Sequence, residues 1–150
     1  MIKITAGAVV AAKLAGAVEG RRFFTPEEFA ALDELTEFII PTDERGGGAK
    51  AARVAEFMDR VLAEAEEQKE RDEFRAGLAP YVTASSAERE ALLAKASANE
   101  MKPTTAEEKF FRTLKEQTIH GYYTSKIGIE ALDYKGNVYQ TGEYAGYLPS

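Results

Sequence analysis

Cysteine and tryptophan are absent from the 150 residues, and histidine occurs once, at His120. Without cysteine there can be no disulfide, no thiolate nucleophile and no Cys-ligated zinc or iron–sulfur site. No apolar run is long enough to span a bilayer. Charge of one sign is not concentrated either: 19 basic and 25 acidic residues, net −6, are mixed along the chain. That distribution is a solvated acidic surface and carries no basic footprint for nucleic acid. Glycine is clustered at Gly46-Gly47-Gly48 with Lys50 behind it, but the P-loop spacing and its Ser or Thr after the lysine are missing, so the stretch PTDERGGGAK reads as a hinge-like connector. No GxGxxG follows a strand and no haem-attachment motif occurs.

What is present is helical punctuation. In FFTPEEFAALDELTEFIIP, Thr25 is an N-cap, Pro26 takes the first helical position, and Glu28 completes a capping box. Phe24 and Phe29 flank that cap as a staple, Leu32, Leu35, Thr36 and Ile39 follow at helical spacing, and Pro41 ends the helix. Val54, Phe57, Met58, Val61, Leu62 and Ala65 form a second stripe, with the charged run EEQKERDE at 66–73 as its solvated extension. Phe74 and Leu78 predict a short helical turn that Pro80 interrupts. Ser85 or Ser86 caps a further helix with Glu88 behind it and Leu92, Leu93 and Ala96 on one side. Thr104 or Thr105, paired with Glu107 or Glu108, starts the last, which turns Phe110, Phe111, Leu114, Thr118 and Tyr122 inward. The expected core is Phe29, Leu32, Phe57, Val61, Phe110, Phe111 and Leu114.

Two segments stand apart. Residues 1–20 place Lys3 before an apolar stretch from Ile4 to Ala12 and then Ala15-Gly16-Ala17, the pattern of either an export signal or an Ala-rich N-terminal helix. Residues 126–150 are rich in glycine and tyrosine, show no sustained helical period, and are expected to form an irregular C-terminal arm. Residues 21–125 form the helical domain between them. Tyrosine offers a flat apolar body with a polar tip, which suits a surface that is wet alone and buried in a complex; it serves equally well to wrap the chain's own helices.

HGYYTSK at 120–126 gathers the one histidine, two phenols, two aliphatic hydroxyls and an amine. A triad needs a hydroxyl, a histidine and an orienting acid converging in a cleft, whereas His120, Thr124 and Ser125 would project in parallel from one helix. A lone histidine in a last helical turn is favoured there by the helix dipole. The residues assigned to catalysis, to a cofactor and to a metal are therefore none.

FFTPEEFAALDELTEFIIPTDE, VAEFMDRVL and KFFRTLKEQTIHGYYTSKIGIEALDYKGN together resemble the gluconate 2-dehydrogenase subunit 3 family over roughly residues 22–146, with IIPTDE, GYYTS and LDYKGN the most specific parts. The resemblance implies a mainly α, single-domain accessory subunit of about five helices that binds, stabilises and helps export a large FAD-dependent dehydrogenase of the glucose–methanol–choline type. It implies FAD on that partner and none on this chain, a cytochrome c subunit as a further partner, and a periplasmic location, with a cytoplasmic one as the alternative. Its twin-arginine signal has no counterpart here, since Arg21-Arg22 stand late and lack a following apolar run. The substrate is then a sugar or sugar acid, gluconate or a glycoside oxidised at its 3-position, held by the large subunit. Tyr122, Tyr123, Thr124, Ser125, Tyr134, Tyr139, Tyr144 and Tyr147 are the expected partner contacts. The competing expectations are a free-standing helical scaffold module and a small hydrolase using His120.

Overall fold

Thr25 opens the first helix, α1 (Pro26–Ile39), with the reciprocal bonds of a capping box: its hydroxyl accepts from Glu28 N–H at 3.2 Å, and Glu28 returns a carboxylate to Thr25 N–H at 2.9 Å. The computed structural model describes residues 23–134. Within them follow α2 (Val54–Glu64), α3 (Gln68–Val82), α4 (Ser86–Ser97), α5 (Ala106–Tyr123) and the short α6 (Lys126–Ala131). The described residues contain six helices and no strand, so the chain is mainly α. Ser85 with Glu88 and Thr105 with Glu108 are the capping boxes of α4 and α5, which settles both choices that the sequence left open.

The cap of α5 has a pH signature. Glu108 accepts from the backbone N–H groups of Thr104 and Thr105, and these donors hold its pKa down to about 2. A carboxylate depressed on folding stabilises above its unfolded pKa and loses that contribution as pH falls through the folded value. The start of α5 is therefore expected to weaken from about pH 4.5 toward pH 2, and Glu108→Gln to flatten that dependence; amide exchange of residues 105–109 across the range checks it.

Helix α1 is the hub, packed against α2, α3, α4 and α5. Its buried stripe is Ala31, Leu32, Leu35 and Thr36. Around it close Val54, Met58 and Leu62 of α2, Phe74, Leu78 and Tyr81 of α3, Leu93 and Ala96 of α4, and Phe110, Phe111 and Leu114 of α5. Buried hydroxyls are satisfied locally, Thr36 by Asp33 O and Thr118 by Leu114 O, so neither carries the penalty of an unmade hydrogen bond.

Several expectations need correction. Leu32, Phe110, Phe111 and Leu114 are core, but Phe29 and Phe57 are half-buried and Val61 is exposed. The stripe on α2 is rotated toward Ala55 and Asp59, because residues 23 and 24 lie along that face. On α4 the inward leucine is Leu93, while Leu92 faces out. The run 66–73 does not extend α2: the chain turns at residues 65–67 and restarts as α3, which runs through Pro80. Pro80 deprives the Ala76 carbonyl of its helical donor, and the burial of Phe74, Leu78 and Tyr81 on the same helix holds it helical despite that cost. Residues 126–131, read as part of an irregular arm, are helical, with the Ser125 hydroxyl accepting from Gly128 N–H at 3.1 Å. The expectations for residues 1–20 lie outside the described residues.

Candidate functional site

The turn that continues IIPTDE and the segment GYYTS meet at one end of the bundle, through Gly47 and Tyr122. Ile40 to Ala49 is a closed turn rather than a hinge: Ala49 N–H donates to Ile40 O at 2.8 Å, and Asp43 and Gly46 exchange backbone bonds. Gly48 is needed because a Cβ there would lie 2.5 Å from Ile40 O and 2.6 Å from the Pro41 carbonyl carbon. Glu37 of α1 fastens the turn by accepting from Thr42 N–H, the Thr42 hydroxyl and Lys50 N–H at 2.8 to 2.9 Å. Burial pushes the Glu37 carboxyl up, but the Lys50 and Thr42 donors outweigh it and hold the group below its ordinary range. Asp33 beside it moves the other way: burial raises it against the opposing attraction of Lys50, whose Nζ lies 3.7 Å away.

From the other side Tyr122 reaches across. Its hydroxyl donates to Gly47 O at 2.9 Å, and its ring is buried against the core, where burial and then the neighbouring Tyr123 raise its pKa. Tyr122 is thus an internal latch, and its place among the expected partner contacts is corrected: 6% exposure leaves no ring surface to offer. Helix α6 then folds back on the end of α5, with Gly128 pressed against the Tyr122 carbonyl.

The hydroxyls of HGYYTSK are turned to the backbone. Thr124 Oγ1 donates to His120 O at 2.7 Å and Ser125 Oγ to Tyr122 O at 2.6 Å. The His120 ring is exposed and lies 5.6 Å from the Phe57 ring, centroid to centroid. That geometry gives neither hydroxyl the histidine base that a nucleophile requires. Among the described residues no group of three or more His, Asp or Glu side chains is placed to hold a metal ion, and no helix is long and apolar enough to cross a membrane.

The same end is apolar on its outer side. Tyr123 is 43% exposed and Tyr134 59% exposed, with Ile119, Ile129 and Leu132 also open to solvent. Tyr139, Tyr144 and Tyr147 lie outside the described residues. Sequence reading missed Ile119, Ile129 and Leu132, although Ile119 stands one turn before Tyr123 and that i, i+4 pairing was a usable signal. It also missed Glu37 and Asp59, whose acceptors serve backbone donors far away in the chain.

These features define a class: a small helical protein whose polar side chains cap, latch and clamp, and most of whose exposed large hydrophobic side chains, among the described residues, lie on the end of α5, on α6 and just after it. The chain belongs to the gluconate 2-dehydrogenase subunit 3 family, whose family model matches residues 26–142. No curated protein and no solved structure gives a significant match to it.

Proposed function

We propose that this chain is the non-catalytic small subunit of an FAD-dependent sugar or sugar-acid dehydrogenase, and that the bundle end built by the closed turn, the last turn of α5 and α6 is its docking face. The observation that carries this is the clustering of Ile119, Tyr123, Ile129, Leu132 and Tyr134, five of the eight large hydrophobic side chains exposed among the described residues. Exposed apolar side chains gathered on neighbouring elements mark an interface, and tyrosine supplies such area at little rotamer cost. Family membership supports the choice of partner, a large dehydrogenase subunit of the glucose–methanol–choline type. The flavin and the sugar pocket belong to that partner, a cytochrome c subunit takes the electrons onward, and the assembly works in the periplasm.

Co-purification from the native cell under mild conditions tests this. A yellow, FAD-containing protein several times larger should accompany the chain. Leu132→Asp combined with Tyr134→Asp should lower its yield by about tenfold or more, as expected when exposed anchors of an interface are made charged, while the helical circular dichroism is kept. A colourless lone chain, or a yield untouched by the two substitutions, would defeat the proposal.

A further inference from the structure

Arg53 breaks three local rules at once. Two non-glycine residues among the described ones take a positive φ, Asp133 at 49° and Arg53 at 57°. A short polar side chain such as that of aspartate is accommodated there, whereas a long one brings its Cβ against the backbone with no local hydrogen bond in return. Arg53 closes the turn of residues 49–53 in the manner of a Schellman motif: its N–H donates to Lys50 O and that of Val54 to Ala49 O, each at 3.0 Å. The left-handed residue of that motif is ordinarily glycine. Arg53 is also the N-cap of α2, where its side chain makes no capping bond and where a cation opposes the positive end of the helix dipole.

Little in the fold compensates. The Arg53 side chain is 76% exposed, and its one ion pair among the described residues is a surface contact from Nε to Glu56 Oε1 at 3.1 Å. Exposed pairs of this kind contribute little to stability. Strain and mismatched charge occur where a residue serves something other than folding.

Its neighbours place Arg53 beside the docking face. Gly47, whose carbonyl receives the Tyr122 hydroxyl, adjoins both Ala51 and α6: a Cβ on it would lie 2.5 Å from Ala51 Cβ and 3.9 Å from Ile127 Cδ1. Val54, next in the chain, approaches the last turn of α5, where a Cβ on Gly121 would stand 3.3 Å from Val54 Cγ1. Arg53 lies between Ala51 and Val54 in the chain, and so at the margin of the surface that carries Tyr123, Ile129 and Leu132. A guanidinium offers a planar set of donors that a carboxylate takes two at a time, and arginine is enriched among the residues that dominate interfaces. We infer that Arg53 is an anchor for a carboxylate of the large subunit. That role rests on the proposed docking of a large dehydrogenase subunit and adds to it the chemistry of one contact.

Arg53→Gly, Arg53→Ala and Arg53→Lys in the full chain separate this role from a structural one, with the yellow FAD-containing protein of the native cell as the probe. Glycine relieves the left-handed strain and removes the cation. The melting temperature should therefore rise by about 2 to 4 °C while the yield of yellow protein falls at least about tenfold. Alanine keeps the strain, so it should give the same loss of capture without the rise in melting. Lysine keeps the charge and should recover part of the yield. Undiminished capture by the glycine and alanine variants would overturn the inference and leave the docking of the large subunit standing. So would a glycine variant that melts no higher than the parent, or one that alone loses capture, because the backbone and not the guanidinium would then be at work. If the parent itself brings down no yellow protein, the proposed function falls and this contact falls with it.

Discussion

Asp59→Ala is expected to cost about 3 kcal/mol of folding stability, a large fraction of what a domain of this size possesses. The carboxylate is 2% exposed and takes two consecutive backbone N–H groups, those of Phe23 and Phe24. Alanine leaves both donors without this acceptor, the Phe24 N–H buried and the Phe23 N–H partly so, and each unmade buried bond costs about 1 to 3 kcal/mol. It also releases the segment that holds the Phe23 ring under Arg71 and Arg75 and the Phe24 ring on Phe74. Asp59→Asn keeps one acceptor oxygen but loses the charge and puts an NH2 donor in place of the second oxygen, so it should forfeit roughly half as much. Urea unfolding reads both variants, with an unchanged m-value marking a true stability effect. An alanine variant within about 0.5 kcal/mol of the parent would show that the clamp is dispensable.

Gly128→Ala is expected to unseat α6 while sparing the bundle. A Cβ at this position would lie 2.7 Å from the Tyr122 carbonyl carbon, 2.9 Å from Tyr123 Cα, and closer still to Tyr122 O. All three are backbone atoms of the last turn of α5, so no rotamer change relieves the clash. Overpacking against rigid neighbours costs about 1 to 3 kcal/mol, and a six-residue helix has no independent stability with which to resist. Helix α6 should therefore detach before α5 deforms. Amide exchange in residues 126–132 should accelerate roughly 30-fold, the equivalent of about 2 kcal/mol, while residues 106–118 keep their protection. If the proposed docking face is right, capture of the large subunit should fall in parallel, because Ile129 and Leu132 ride on the displaced helix. Unchanged exchange in this segment would mean that the close approach at Gly128 is not needed.

The parts of this architecture that are local in sequence could be read in advance. A capping box spans four residues, so Thr25 with Glu28 was legible as a unit, and the periodicity of Leu32, Leu35 and Thr36 followed directly. The stretch IIPTDE and the run GYYTS were recognisable, but their meeting was not, because it depends on a phenol finding a carbonyl 75 positions away. Asp59 shows the same limit. In α2 it looked like one more solvated acid, and only the passage of residues 23 and 24 over that face turns it into a buried acceptor and shifts the stripe toward Ala55. Tyr122 fitted both the inward stripe of α5 and the tyrosine-rich outer surface, and a single chain carries no signal to separate those roles. Gly128 belonged to a segment without visible period, since six residues are too few to display one.

The turn from Ile40 to Ala49 is riveted from two sides, by a carboxylate on the first helix and a phenol on the fifth. Like a keystone, it converts two separate uprights into one arch. The end of the bundle that carries α6 is thereby tied to the first helix as well as to the fifth.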